Sequence, residues 1–149
     1  MPDGSFLMVM RTAGDGKADL LVSRSTDNCK TWSTPTSFAD YGVLPQLCRL
    51  DCGVTLASYG RPEIFVRATN DPTGVTWRDP VKIGLSPYNA NKTGAIQNDT
   101  ITNLSCCYTE LLPINRTQAL LIYSDFNYPY NSTSVSKAIM VRIISIEPK

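Results

Sequence analysis

Ser25-Thr26-Asp27-Asn28-Cys29-Lys30-Thr31-Trp32 and Thr69-Asn70-Asp71-Pro72-Thr73-Gly74-Val75-Thr76-Trp77 are two versions of one turn. Both read as a hydroxyl residue, a variable residue, an aspartate, a tight segment, then Thr-Trp. The job of each residue is local. An aspartate carboxylate accepts backbone N–H groups across a turn, hydroxyl side chains cap it, and the tryptophan ring is expected to be buried between strands. Asp27 and Asp71 are therefore expected to be turn staples, framed by Ser25, Thr31 and Trp32 in the first copy and by Gly74, Thr76 and Trp77 in the second. Neither copy is regular. The first has Cys29 where glycine would ease a left-handed backbone, and the second has an extra residue before Gly74. Trp32 and Trp77 are the only tryptophans and stand 45 residues apart, a spacing that fits a four-stranded blade of a β-propeller.

A second element recurs three times. Asp3-Gly4-Ser5-Phe6-Leu7-Met8-Val9-Met10-Arg11, Cys52-Gly53-Val54-Thr55-Leu56-Ala57-Ser58-Tyr59-Gly60-Arg61 and Arg116-Thr117-Gln118-Ala119-Leu120-Leu121-Ile122-Tyr123-Ser124-Asp125 each begin in a turn, continue as a short apolar run and end on a charge. Bulky and β-branched runs bounded by turn residues predict buried strands. No stretch keeps a long 3.6-residue period, so an all-β fold with little helix is expected.

The blades are laid out at about 1–40, 41–85 and 106–149. In the complete one, strands are expected near Pro45–Leu50, up to Tyr59, at Ile64–Arg67 and at Val81–Ile83. The last has strands near Tyr108–Leu112, Ala119–Tyr123 and Ala138–Ile144. Residues 86–105 read as a long polar surface loop.

Composition bounds the chemistry. The 149 residues hold 42% hydrophobic and 18% charged side chains, as a globular domain does. A net charge of +1 leaves no electrostatic footprint for nucleic acid. No apolar run approaches the ~20 residues that span a bilayer. The absence of histidine removes Ser-His and Cys-His catalysis and the commonest transition-metal ligand. Chemistry is left to carboxylates, arginines, tyrosines or thiols, and no cofactor or metal is expected.

Five of the nine asparagines, Asn91, Asn98, Asn103, Asn115 and Asn131, lie in Asn-X-Ser/Thr sequons. Chance would give about two, so the excess predicts a secreted or cell-surface glycoprotein. Five cysteines point towards disulfides, with the pairing open. Cys48 and Cys52 flank an expected tight turn, and Cys106 and Cys107 are adjacent. Met1-Pro2-Asp3-Gly4-Ser5 has neither part of a signal peptide, which suggests that the N-terminal part of the protein is missing.

Ser-x-Asp-x-Gly-x-Thr-Trp is the Asp box, or bacterial neuraminidase repeat, of the sialidase superfamily, and the two turns resemble it. Met1 to Thr12 resembles the segment leading to a family arginine, and Tyr59-Gly60-Arg61-Pro62 resembles the corresponding place one blade later. Thr109-Glu110-Leu111-Leu112-Pro113 through Leu121-Ile122-Tyr123-Ser124-Asp125 resembles the final blade. The resemblance implies about two and two-thirds C-terminal blades of a six-bladed propeller. It also implies a chemistry in which three arginines clamp a substrate carboxylate, a tyrosine activated by a glutamate is the nucleophile, and an aspartate is the general acid. Guanidinium forks suit a carboxylate bidentately, and a phenol needs a neighbouring base to attack at neutral pH.

By this resemblance Arg11 corresponds to the second clamp arginine, Arg61 to the third, and Asp125 to an acid that orients a clamp arginine. Arg11 and Arg61 are expected at strand ends opposite the Asp turns. The first clamp arginine, the acid aspartate and the glutamate would precede Met1. Ser105 falls at the nucleophile position, and Tyr108, the nearest tyrosine, is offset by three residues.

A sialidase-like exo-glycosidase acting on a sialoside glycan is therefore expected, its ring completed by further N-terminal blades or by a second chain. A non-catalytic secreted propeller that binds glycan or builds extracellular structure is the alternative, favoured by Ser105. A propeller hydrolysing a different sugar is a third reading, which Ser105 favours equally, whereas Arg11 and Arg61 favour the first.

Overall fold

The computed structural model describes residues 1–12, 18–60, 63–83, 108–129 and 135–147. Among these residues there are ten strands and no helix. The first sheet holds β1 (Phe6–Arg11), β2 (Leu20–Ser25) and β3 (Thr36–Ala39) in sequence order. The second holds β4 (Val43–Arg49), β5 (Thr55–Gly60), β6 (Ile64–Thr69) and β7 (Val81–Ile83), again in order. The third holds β8 (Thr109–Asn115), β9 (Gln118–Pro129) and β10 (Val135–Ser145), with β9 in the middle. Every pairing is antiparallel.

The second sheet lies between the other two, and β5 explains how. All six of its residues are buried, because alternate side chains serve opposite cores. Ala57 and Tyr59, with Phe65 of β6, pack against Leu20 and Phe38 of the first sheet. Leu56, with Ile64 and Val66, packs against Leu111, Ala119, Leu121 and Tyr123 of the third. The two hydroxyl residues of this run, Thr55 and Ser58, are buried with it. Each fully covered Leu or Ile contributes about 1.5–3 kcal/mol.

Aromatic rings knit the first interface. Phe38 meets Tyr59 edge-on at 6.1 Å and Trp77 at 5.2 Å, while Tyr59 stacks on Phe65 at 5.5 Å. The Arg67 guanidinium lies 4.9 Å from the Phe38 ring centre and donates to the Phe38 carbonyl. Gly42, with φ of 148°, carries the chain past this contact. A Cβ there would stand 2.7 Å from Leu20 Cδ1 and 3.0 Å from Tyr59 Cδ2.

The two outer faces of the stack are apolar and open. On the third sheet Leu112, Ile139, Val141 and Ile143 share one side by register and are 52–71% exposed. The outer side of the first sheet presents Phe6 and Met8.

Three expectations change. β9 continues beyond Tyr123 to Pro129, because β10 pairs with it as far as Val135, past an irregularity between Ser136 and Ala138. Ser124-Asp125 looks like a strand end in the sequence only because it is polar. β4 starts at Val43, with Leu44 held at φ of 45° where the register shifts. Cys48 and Cys52 are separate thiols and so is Cys29. Cys48 is used as apolar filling between the second and third sheets, where burial pushes its pKa up.

Candidate functional site

The two Asp turns define one rim of the stack. In the first, Asp27 Oδ1 accepts the Thr31 N–H at 2.9 Å and the Ser25 hydroxyl at 2.8 Å, and Oδ2 accepts the Thr31 hydroxyl at 2.6 Å. Ser25 Oγ also accepts the Cys29 N–H at 3.0 Å. In the second, Asp71 Oδ1 accepts the Thr73 N–H at 2.8 Å and its hydroxyl at 2.7 Å, while Oδ2 accepts the Thr76 N–H at 2.9 Å. Thr69 Oγ1 receives the Asp71 N–H at 2.9 Å and donates to the Thr76 carbonyl at 2.6 Å. These bonds hold both carboxyls well below the usual range, Asp27 at about 2, with the Thr31 hydroxyl and the Thr73 hydroxyl as the largest causes. Carboxylates so occupied are turn staples. Thr73 is a member the sequence comparison passed over, because the extra residue shifts the hydroxyl contact forward.

The tryptophans differ from the expectation. Neither ring is fully buried. Trp77 packs on the first core cluster through Phe38, with its Nε1 donating to the Gly74 carbonyl at 2.8 Å. Trp32 belongs to neither described core cluster. It lines an outer groove with Arg24, Thr26, Ser33 and Val75, because Phe38 supplies a floor for the Trp77 ring that Trp32 lacks.

The opposite rim gathers the chemistry. Arg11 closes β1 and pairs with Leu20, at the far end from Ser25, which pairs with Phe6. Gly60 closes β5 and pairs with Val43, at the far end from Thr69, which pairs with Thr55. The contact of Gly42 with Leu20 puts these ends at one level. Ser58 Oγ donates to Thr109 Oγ1 at 2.9 Å, and Thr109 pairs with Tyr123. That bond sets Asp125, two residues beyond Tyr123, level with Gly60. Asp125 is fully buried, and strand alternation puts it on the side of Leu121 and Tyr123 that faces the second sheet. An exposed guanidinium and a buried carboxylate thus share one rim.

Tyr108 directly precedes β8 and is 49% exposed. Its carbonyl accepts the Ser124 N–H at 3.2 Å, which puts its side chain with Glu110 and Leu112 on the outer face, away from Asp125. Arg61 and Ser105 lie outside the described residues, as do Asn91, Asn98, Asn103, Asn131, Cys106 and Cys107. Asn115 is described, at the end of β8.

Sequence reasoning missed Asp40, Tyr41 and Glu63 around the Gly60 end. Tyr41 packs edge-on to Phe65 at 5.7 Å. Burial, then Glu63 and Asp40, raises its pKa, so the phenol is a hydrogen-bond donor at neutral pH. Glu63 itself is paired with Lys82 at 2.5 Å. Asp40-Tyr41-Gly42 passes for a plain linker in sequence, and only the packing shows its ring turned inward. Among the described residues no group of three or more Cys, Asp or Glu converges as a metal site would require.

No family model matches the chain, and no curated protein matches it. Among solved structures, a protein of unknown function from Dyadobacter fermentans superposes with a TM-score of 0.70 at 20% identity, over 98% of this chain and 36% of that one. A Hadza microbial sialidase superposes with a TM-score of 0.44 at 18% identity, over 83% of this chain and 30% of that one. The likeness to the first is one of fold. The chain spans about a third of the length of either structure.

Proposed function

We propose that this chain is part of a sialidase-like β-propeller that hydrolyses terminal sialosides outside the cell, with its three sheets as blades. The carrying observation is the placement of Arg11 and Asp125 on one rim with both Asp turns on the other. Arg11 and Arg61 would clamp the sialoside carboxylate, since a guanidinium presents paired N–H groups to two carboxylate oxygens. Asp125 would orient a clamp arginine. The remaining groups would come from further blades. The open aliphatic side of the third sheet and the Phe6–Met8 side of the first are the faces such blades, or a second chain, would cover.

Hydrolysis of a fluorogenic sialoside by the natural full-length protein tests this, beside Arg11→Ala and Arg61→Ala variants. Loss of about 2 kcal/mol of charge-assisted binding is a fall of roughly 30-fold or more in kcat/KM. A folded protein without turnover would defeat the reading. One observation favours a non-catalytic glycan-binding propeller: the Tyr108 ring faces outward, away from Asp125. Sialoside binding without hydrolysis, weakened by Arg11→Ala, would support that second reading.

A further inference from the structure

We propose that Asn115 is a site of N-linked glycosylation whose glycan stands on the rim opposite Arg11 and Asp125. The inference rests on the export part of the reading above and not on its chemistry. Asn115, Arg116 and Thr117 form the sequon at the tip of the β8–β9 hairpin, where Asn115 pairs with Gln118. Asn115 and Arg116 are exposed. A large polar substituent is tolerated there because it stays in water and displaces no packing.

The local geometry fits the modification as well as the exposure does. Asn115 Oδ1 accepts the Thr117 N–H at 2.9 Å and the Thr117 hydroxyl at 3.5 Å, an Asx turn that holds the amide and the hydroxyl side by side. Asn115 Nδ2 donates to Gln118 Oε1 at 2.6 Å. An amide nitrogen has two hydrogens, so one can be replaced while the other keeps Gln118. In the transfer, the bond between C1 of the first sugar and its diphosphate breaks and a C1–Nδ2 bond forms. The displaced amide proton passes to a base of the transferase. The co-substrate is a lipid-diphosphate-linked oligosaccharide.

The tip also has a defined neighbour. The Cys52 N–H donates to the Arg116 carbonyl at 3.0 Å. Cys52, Val54, Ala68, Thr117 and Ile146 line a cleft of about 530 Å³ between the second and third sheets. A glycan on Asn115 overhangs this cleft and shields the Cys52 thiol, while leaving the Arg11 rim clear.

The test is glycopeptide mass spectrometry on the natural full-length protein secreted from eukaryotic cells, with Asn115→Gln, Thr117→Ala and Thr117→Ser variants alongside. The Asn115 peptide is expected to carry glycan. One glycan's worth of electrophoretic retardation should vanish in the first two variants and persist in Thr117→Ser. Alkylation of Cys52 should be faster after enzymatic deglycosylation. A bare Asn115 peptide beside an occupied Asn91, Asn98, Asn103 or Asn131 overturns this inference and leaves export standing. Five bare sequons in secreted protein overturn this inference and with it the expectation of a glycoprotein, and again leave export standing. The wild-type spectrum decides the matter even if a variant does not fold.

Discussion

The Asp27 and Asp71 turns are closed by related hydrogen-bond schemes and are supported in opposite ways. In each, one carboxylate gathers backbone N–H groups from the residues after it, and a hydroxyl two residues earlier closes the entry. The Asp71 turn is then anchored by packing. Trp77 stands on Phe38, and Gly74 sits with φ of 70° against Met1 and Leu7 of the neighbouring sheet. The Asp27 turn has neither support. Its left-handed positions are Asn28 and Cys29, at φ of 61° and 65°, and its tryptophan lies in a groove. A closed hydrogen-bond scheme is therefore sufficient to keep the chain in a strained turn, and the tryptophan is an optional second support.

The comparison breaks if the two tryptophans prove equivalent. Trp77→Ala should cost about 3 kcal/mol of unfolding free energy and Trp32→Ala less than ~1, read from denaturant midpoints. Equal losses would mean that Trp32 is packed by something beyond Val75. Gly74→Ala should cost about 1–2 kcal/mol, since the left-handed backbone penalises any Cβ and this one would lie 2.9 Å from Met1 Cε. Cys29→Gly should do the reverse, raising stability by about 0.5 kcal/mol, because relief of strain exceeds the extra freedom of the unfolded chain.

The smallest effect is expected from pH. Both carboxyls titrate below their unfolded value of about 3.9, so their contribution is complete above that pH. It is lost as pH falls towards about 2, the folded value of Asp27. Asp27→Asn and Asp71→Asn should flatten the acid limb of the stability curve between those values. An unchanged limb in both variants would mean that the carboxylates carry no net charge-dependent stabilisation. Both stand at the surface, which keeps the effect small.

What was legible in the sequence follows from range. β7 runs from Val81 to Ile83 as expected, and the Leu50–Val54 turn closes through the Gly53 N–H on the Leu50 carbonyl at 2.9 Å. Periodicity and turn residues act over a few positions, so such elements can be read directly. The Asp turns were legible for the same reason. Asp125 could be tied to this strand but placed neither inside it nor on a face, because β9 runs on to Pro129 only through its pairing with β10, and its side depends on which neighbour β9 meets. Tyr41 and the different surroundings of Trp32 and Trp77 depend on contacts between sheets, which leave no local mark. Cys48 misled because the cysteine count suggests bridges, whereas this thiol is only filling.

The double-sided burial of β5 has a consequence for how the molecule opens. A strand with no side facing water cannot expose one core without loosening the other, so its amides should exchange with solvent only when both neighbouring sheets come apart. Those of β3 and β10, at the outer edges, should exchange through far smaller openings. Deuterium uptake would then decline inward from both edges to a minimum along Thr55–Gly60, a gradient that maps cooperativity onto the order of the strands.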